Sequence, residues 1–383
     1  MRAAIVYPGL VLAGTAALAL GLAAAPASAS SATAPSWRVV ENVATTTAAN
    51  GWTSRFAVTG AGNAWVAWTA RDSTGAGTGF VVERWTGRTW VSADVPASQL
   101  PLAEASVALG AGSATDAWII DAPNPKFARV LRWNGSTWAS WAIPAWALVA
   151  NETRAFRSVP VFFSPSDVWI FDLGPGTDPD VPYGLSAARY NGRSWSRQGY
   201  AGIPDQVSID TRTDVWTYGV NGHVSRKNSA YALMRWNGRR WLTVQMPKSL
   251  LFYPQYVKYL AAIGPNDVYV SENRSSTQTQ RLLNWNGRTL QPVALPAKIS
   301  VVAAMTKDGH GGLWVYGTGP QGQQYFADRN GGKWTVQAVP ADDGMTASAV
   351  TGLNWIPGTR SVWATAEYPG SAGTVAAILK FGP

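Results

Sequence analysis

The chain has 383 residues, of which 46% are hydrophobic and only 14% charged, with 21 Trp, 38 Gly, 24 Pro, two His and no Cys. The missing cysteines exclude a disulfide-stapled scaffold, a thiol enzyme, a Cys-ligated metal centre and a lipoprotein anchor, while the apolar and aromatic content excludes a disordered chain. A formal net charge of +9 favours anionic neighbours, and two histidines leave little for a His-based metal cluster.

The opening carries a basic Met1-Arg2, an Ala/Leu/Val/Gly run to Ala25, and then Pro26-Ala27-Ser28-Ala29. That pattern predicts a signal peptide over residues 1–29 with an A-x-A cleavage site. A single exported domain over residues 30–383 is expected to follow, with no membrane contact once the leader is removed. No second apolar run of spanning length occurs later.

From there the sequence repeats. One element is an Asp-Val-Trp-like step: Asn63-Ala64-Trp65, Asp116-Ala117-Trp118, Asp167-Val168-Trp169, Asp214-Val215-Trp216, Asp267-Val268-Tyr269, Gly312-Leu313-Trp314 and Ser361-Val362-Trp363. A second element follows the first six: RWTGRTW (84–90), RWNGSTW (132–138), RYNGRSW (189–195), RWNGRRW (235–241), NWNGRTL (284–290) and the weaker RNGGKW (329–334). Successive aromatics of the first kind lie 45 to 53 residues apart. A period near 50 with strand-like composition and no helix signal is the size of a four-stranded propeller blade.

Each blade reads as strand a (for example Ser106–Leu109), an Asx-type turn at the Asp, strand b with its Trp, a variable loop, strand c, an Asn-Gly turn and strand d. Asn-Gly between two β runs predicts a type I′ hairpin, and Pro96, Pro144, Pro204, Pro247, Pro296 and Pro340 mark the exits from strand d. The seventh copy stops at Pro383 without its own strand d. Pro35-Ser36-Trp37-Arg38-Val39-Val40 matches the Ser-Thr-Trp start of strand d elsewhere. The expected fold is therefore an all-β, seven-bladed propeller of four-stranded blades, the last closed by the N-terminal strand, which leaves no open edge. Sixteen of the 21 Trp occupy repeat positions and are expected to pack between blades; of the other five, Trp68 and Trp141 continue strands, Trp355 falls near an a–b turn, and Trp52 and Trp146 lie in connections from strand d to strand a.

The paired Asp-Val-Trp and Trp-Asn-Gly-x-x-Trp signatures resemble those of exported actinobacterial β-propeller repeat proteins, over essentially all of residues 36–383. The c–d turn also resembles the Asp-box of sialidase-type propellers, with Asn in place of its Asp. That resemblance implies the fold; the boxes are structural in that family and imply no catalytic centre.

For chemistry, the absence of Cys excludes a Cys–Tyr copper radical site, and no Arg-Ile-Pro opening marks a sialidase. Asp172, Asp178 and Asp180 match no calcium-loop spacing and read as a solvated turn. No metal site and no cofactor is expected. The long loops joining strands b to c and d to a form one face, and that face carries the candidate binding residues Trp52, Trp146, Glu152, Arg154, Tyr183, Tyr253 and Tyr256. Aromatics beside acids and Arg suit sugars, because rings stack on apolar sugar faces while polar groups fix hydroxyls. The sequence thus predicts a secreted, non-catalytic, monomeric propeller binding a glycan, an anionic cell-wall polymer or another extracellular protein through this face. The alternative is an exported glycoside hydrolase or polysaccharide lyase with its site in the central funnel. Positive charge is spread through the repeats with no run longer than Arg239-Arg240, which argues against nucleic acid.

Overall fold

Short β-branched and aromatic runs punctuated by Gly, Pro, Asn and Asp fold into seven antiparallel sheets of four strands each, a seven-bladed β-propeller. The computed structural model describes residues 35–43, 49–74, 77–99, 107–124, 127–144, 159–171, 186–199, 202–221, 231–244, 246, 255–274, 280–371 and 373–382. The expected leader lies outside the described residues, and Pro35–Pro383 cluster as a unit.

In order from strand a to strand d, blade 1 comprises Gly51–Gly60, Asn63–Arg71, Gly77–Trp85 and Trp90–Ser92. Blade 2 comprises Ala108–Ser113, Asp116–Asn124, Phe127–Trp133 and Trp138–Ser140; blade 3, Val159–Ser164, Asp167–Phe171, Ser186–Tyr190 and Trp195–Gly199. Blade 4 comprises Gly202–Thr211, Asp214–Asn221, Tyr231–Trp236 and Trp241–Val244; blade 5, Gln255–Gly264, Asp267–Arg274, Gln280–Trp285 and Leu290–Val293. Blade 6 comprises Val301–Lys307, Leu313–Thr318, Gln324–Asn330 and Lys333–Ala338; blade 7, Ala349–Trp355, Val362–Gly370, Gly373–Phe381 and then Trp37–Asn42. Strand a of every blade touches strand a of the next, and that of blade 7 touches that of blade 1, so the ring is complete.

The N-terminal strand closes the ring as expected. Trp37 pairs with Phe381 and Arg38 with Lys380, and the Arg38 guanidinium donates to the Gly382 carbonyl. The Trp37 ring stacks on Phe326 of blade 6 at 3.8 Å, which ties the closure to the neighbouring blade as well.

The repeated tryptophans explain themselves as one packing unit used many times. The strand b Trp, replaced by Tyr269 in blade 5, inserts against the large side chains that bracket the c–d turn of the following blade. Trp65 meets Trp133 and Trp138 edge-on at 5.5 and 5.8 Å; Trp118 meets Tyr190 and Trp195 at 5.9 Å each. Trp169 meets Trp236 and Trp241 at 5.2 and 6.4 Å, and Trp363 meets Trp85 and Trp90, both at 5.4 Å. Between blades 4 and 5 the same cluster holds Trp216 with Trp285 and Leu290. At roughly 150–250 Å² per ring and about 25 cal/mol per Å², each buried Trp contributes about 4–6 kcal/mol of gross hydrophobic stabilisation.

Within a blade, the Asp that opens strand b holds the Arg of strand c. Arg132 Nε lies 2.5 Å from Asp116, Arg189 Nε 2.8 Å from Asp167 and Arg235 Nε 2.5 Å from Asp214. The same guanidinia lie over Trp118, Trp169 and Trp216 at 5.5, 5.3 and 5.7 Å from the ring centres. Trp118 and Trp216 Nε1 each donate to the Asp two residues earlier at 3.1 Å. The buried carboxylate thus receives charge-assisted bonds that offset part of its desolvation; burial still holds Asp214 above the ordinary carboxylate range against the Arg235 and Trp216 bonds, and the Oδ2 atoms of Asp116 and Asp214 have no hydrogen-bond partner among the described residues. Blade 6 solves the same problem differently: a side chain on Gly312 would fall 2.3 Å from Asp308 Oδ2, so Asp308 supplies the carboxylate from the turn.

Three local expectations change. The c–d turn is not type I′, because Gly135, Gly192, Gly238 and Gly287 have positive φ and their preceding Asn residues do not. Instead each Asn Oδ1 accepts two backbone N–H bonds, as Asn134 does from Ser136 and Thr137 at 3.0 Å each, so the side chain replaces a left-handed backbone. Pro204 is no exit; it lies inside strand a of blade 4 beside a register shift, where an innermost strand has a free edge that needs no N–H. Strand a of blade 2 runs Ala108–Ser113, a little later than expected.

Candidate binding site at the ring axis

Strand a of each blade faces the axis with one edge unpaired, and most of these strands carry a register shift just before the a–b turn. Such bulges re-aim side chains. A cavity of about 590 Å³ opens there, walled by the last residues of strand a from blades 1, 3, 4, 5, 6 and 7, among them Val58, Phe162, Val207, Leu260, Met305 and Leu353. It lies at the end of the ring that carries the short a–b turns, opposite the long b–c and d–a loops.

Its polar end is built by three residues from three blades. Lys307 Nζ, at the end of strand a in blade 6, lies 2.9 Å from Asp210 Oδ1 and 3.2 Å from the Asp210 carbonyl in blade 4. The same ammonium stands 4.5 Å from the centre of the Trp355 ring of blade 7. Both charged side chains are mostly shielded, with exposures of 15% and 17%. Trp355 is held from several sides: its N–H donates to Thr306 Oγ1 at 3.1 Å and its Nε1 to the Thr359 carbonyl at 2.8 Å. Gly309, at φ 79°, lies so close that a Cβ there would fall 2.2 Å from the indole nitrogen. Ser208, on the same wall, accepts the Ala262 N–H at 2.8 Å. The result is an open well of mixed polar and apolar lining, with a fixed aromatic and one charge pair at its rim.

Several acids elsewhere are engaged in structure, whereas Asp328 Oδ1 is buried with no hydrogen-bond partner among the described residues. Glu272, 1% exposed, takes two bonds from Arg281 at 3.0 and 3.2 Å, and Asp121 is bridged to Arg129 at 2.7 Å. Burial pushes the Glu83 carboxyl up to about 7; the Trp68 indole bond at 3.2 Å opposes this, and Glu41 and Asp94 add to it. Burial raises Glu367 too, against the Trp52 N–H bond at 2.8 Å and the Arg71 charge. Asp328 rises to about 6 through burial and its neighbour Asp308.

Of the residues singled out from sequence, Trp52 is corrected. It lies in strand a of blade 1, 1% exposed, edge-on to Trp68 at 6.4 Å, with Nε1 donating to the Thr374 carbonyl at 2.9 Å. A ring so enclosed has no face for a ligand. Trp146, Glu152, Arg154, Tyr183 and Tyr253 lie outside the described residues, as do Asp172, Asp178 and Asp180. The Tyr256 backbone pairs with Asn273 in strand a of blade 5, and its side chain is outside the described set. Sequence reasoning passed over Asp210, Lys307 and Phe162, because strand a carries no repeated motif; Trp355 was noticed only as lying near an a–b turn.

Several solved structures are similar to this chain. The GH74 xyloglucanase from Xanthomonas campestris matches at 15% identity and a TM-score of 0.51, over 82% of this chain and 50% of that one. The fucose-specific lectin from Aleuria aurantia matches at 12% identity and a TM-score of 0.46, over 76% of this chain and 98% of that one. A PL25 ulvan lyase matches at 10% identity and a TM-score of 0.43, over 71% and 79%. The likeness to the xyloglucanase is one of fold alone. No family model and no curated protein matches the chain. Among the described residues, no helix is long and apolar enough to cross a membrane.

Proposed function

We propose that the protein is an exported, non-catalytic propeller that binds the end of a glycan in the axial cavity. One observation carries the reading: among the residues lining the cavity, Asp210 is the one acid, and it is neutralised by Lys307 at 2.9 Å. Glycoside hydrolysis by the usual route needs two carboxyl groups about 5–9.5 Å apart, one of them free to transfer a proton. The lining offers instead what sugar binding uses: the fixed Trp355 ring, apolar walls, and Asp210, Asn354, Thr306 and Lys307 to meet hydroxyls. The leader-like opening supports export. Asn354, Thr306 and the Asp210–Lys307 pair need no metal or cofactor to do this.

The test is a calorimetric titration of the whole protein with neutral oligosaccharides, run beside an assay for released reducing ends. Saturable binding without cleavage, weakened at least tenfold by Trp355→Ala, is expected. Turnover of any bound oligosaccharide would replace this reading with an enzymatic one, and undiminished binding by W355A would move the site off the axis.

A further inference from the structure

A second cavity, of about 280 Å³, lies between blades 3 and 4 and is lined by Trp169, Arg189, Arg212, Thr213, Trp236 and Gly238. Arg212 sets it apart from its counterparts. The two residues before the strand b Asp are Ala114-Thr115 in blade 2, Pro165-Ser166 in blade 3 and Pro265-Asn266 in blade 5, but Arg212-Thr213 in blade 4. From that turn Arg212 reaches back to the preceding blade, its Nε 2.6 Å from Asp167 Oδ2. The Asp167 carboxylate is already held by Arg189, through Nε at 2.8 Å and a terminal nitrogen at 3.2 Å. One carboxylate therefore faces two guanidinia, and the pocket keeps one positive charge in excess.

That excess sits on a usable group. The Arg212 side chain is 65% exposed, and its terminal nitrogens make no hydrogen bond to a described residue. The Asp167 bridge fixes Arg212 at Nε and leaves the outer edge of the fork available, the edge that pairs two-pronged with a carboxylate or sulfate. Arg189 is committed to stacking over Trp169, at 5.3 Å, and so serves as a fixed wall. Trp236 supplies an aromatic border beside the guanidinium. We propose that this interblade pocket binds a single acidic sugar residue, its carboxylate or sulfate taken by the terminal N–H groups of Arg212 and its ring set against Trp236. A cavity this size takes one residue and not a chain. The net charge of +9 draws such ligands to the surface. The site shares no lining residue with the axial cavity and stands whether or not that cavity binds.

The experiment titrates the whole protein with a galacturonate disaccharide, a sulfated disaccharide, the neutral disaccharides of the same rings, and free sulfate, each at 50 and 300 mM salt. Acidic sugars are expected to bind at least tenfold more tightly than their neutral counterparts and than free sulfate, and to weaken as salt rises. Arg212→Ala should lose at least tenfold for the acidic sugars and leave neutral-sugar binding at the axis as it was. R212K, which keeps the charge without the fork, should remain several-fold weaker than the parent, and it carries the test if R212A melts early. Uronate binding without sulfate binding, or the reverse, identifies which anion the fork accepts and supports the site equally. Equal binding by the parent and R212A, equal binding of neutral and acidic sugars, free sulfate as tight as the sulfated sugar, or no binding of acidic sugars would each overturn it.

Discussion

Glu83→Gln should stabilise the protein above neutral pH and do nearly nothing in acid. Glu83 sits in strand c of blade 1, half-buried, with Trp68 Nε1 donating to it at 3.2 Å and the acids Glu41 and Asp94 nearby. Burial is the main cause of its rise to about 7 from an ordinary 4.5. A carboxyl so displaced disfavours its own ionisation in the fold by up to about 3 kcal/mol, which solvent screening around a partly exposed group reduces to about 1–2 kcal/mol. The sign follows from proton uptake. Between about 4.5 and 7 the unfolded chain ionises this group while the fold keeps it protonated, so its favourable contribution is complete below 4.5 and lost as pH rises to about 7. Gln cannot ionise and still accepts the indole bond. Urea unfolding of parent and E83Q at pH 4.5, 6 and 8 should show curves that nearly coincide in acid and separate by about 1–2 kcal/mol at pH 8, with E83Q the more stable. A difference that does not vary with pH, or a parent more stable than E83Q at pH 8, would refute the reasoning.

Other consequences concern the ring. Gly110→Ala should cost about 1–3 kcal/mol, since its Cβ would fall 1.9 Å from the Phe162 ring of the next blade; in a Phe162→Ala background the same change should cost nearly nothing, as urea midpoints would show. Asp116→Ala should cost about 1–3 kcal/mol by leaving Arg132 and the Trp118 indole without their acceptor, and a double-mutant cycle with Arg132→Ala should give a coupling of at least about 0.5 kcal/mol. Trp37→Ala, which removes the stack on Phe326 at 3.8 Å, should lower stability by about 3–5 kcal/mol; deleting residues 35–43 should also expose the edge of Gly373–Phe381 and raise self-association in light scattering.

How much of this was legible depends on whether a residue repeats. Trp65, Trp118 and Trp169 each fill the same slot against the next blade, and the slot is made by residues that also repeat, so fold, blade count and closure by Trp37 could be read from spacing. The Arg–aromatic pairs of strand c were legible as part of the repeat, and the structure adds the Asp that holds Arg132, Arg189 and Arg235. The axis was not legible, because strand a packs one edge against nothing that repeats: Asp210, Lys307 and Trp355 meet only through the curvature of the ring. Trp52 was misplaced for the converse reason. It stands outside the repeat in sequence yet fills the seam between blades 7 and 1, bonded to Glu367 and Thr374. Pro204 misled as a strand-end signal because a strand with one free edge tolerates proline.

The central claim, glycan binding without catalysis at the axis, is tested most directly by a crystal structure of the protein soaked with a neutral oligosaccharide that it binds. The account predicts an intact sugar in the axial cavity, one ring against Trp355 and hydroxyls on Asp210, Asn354 or Lys307. A cleaved sugar, or an intact one seated on the b–c and d–a loop face with the axial cavity empty, would contradict it.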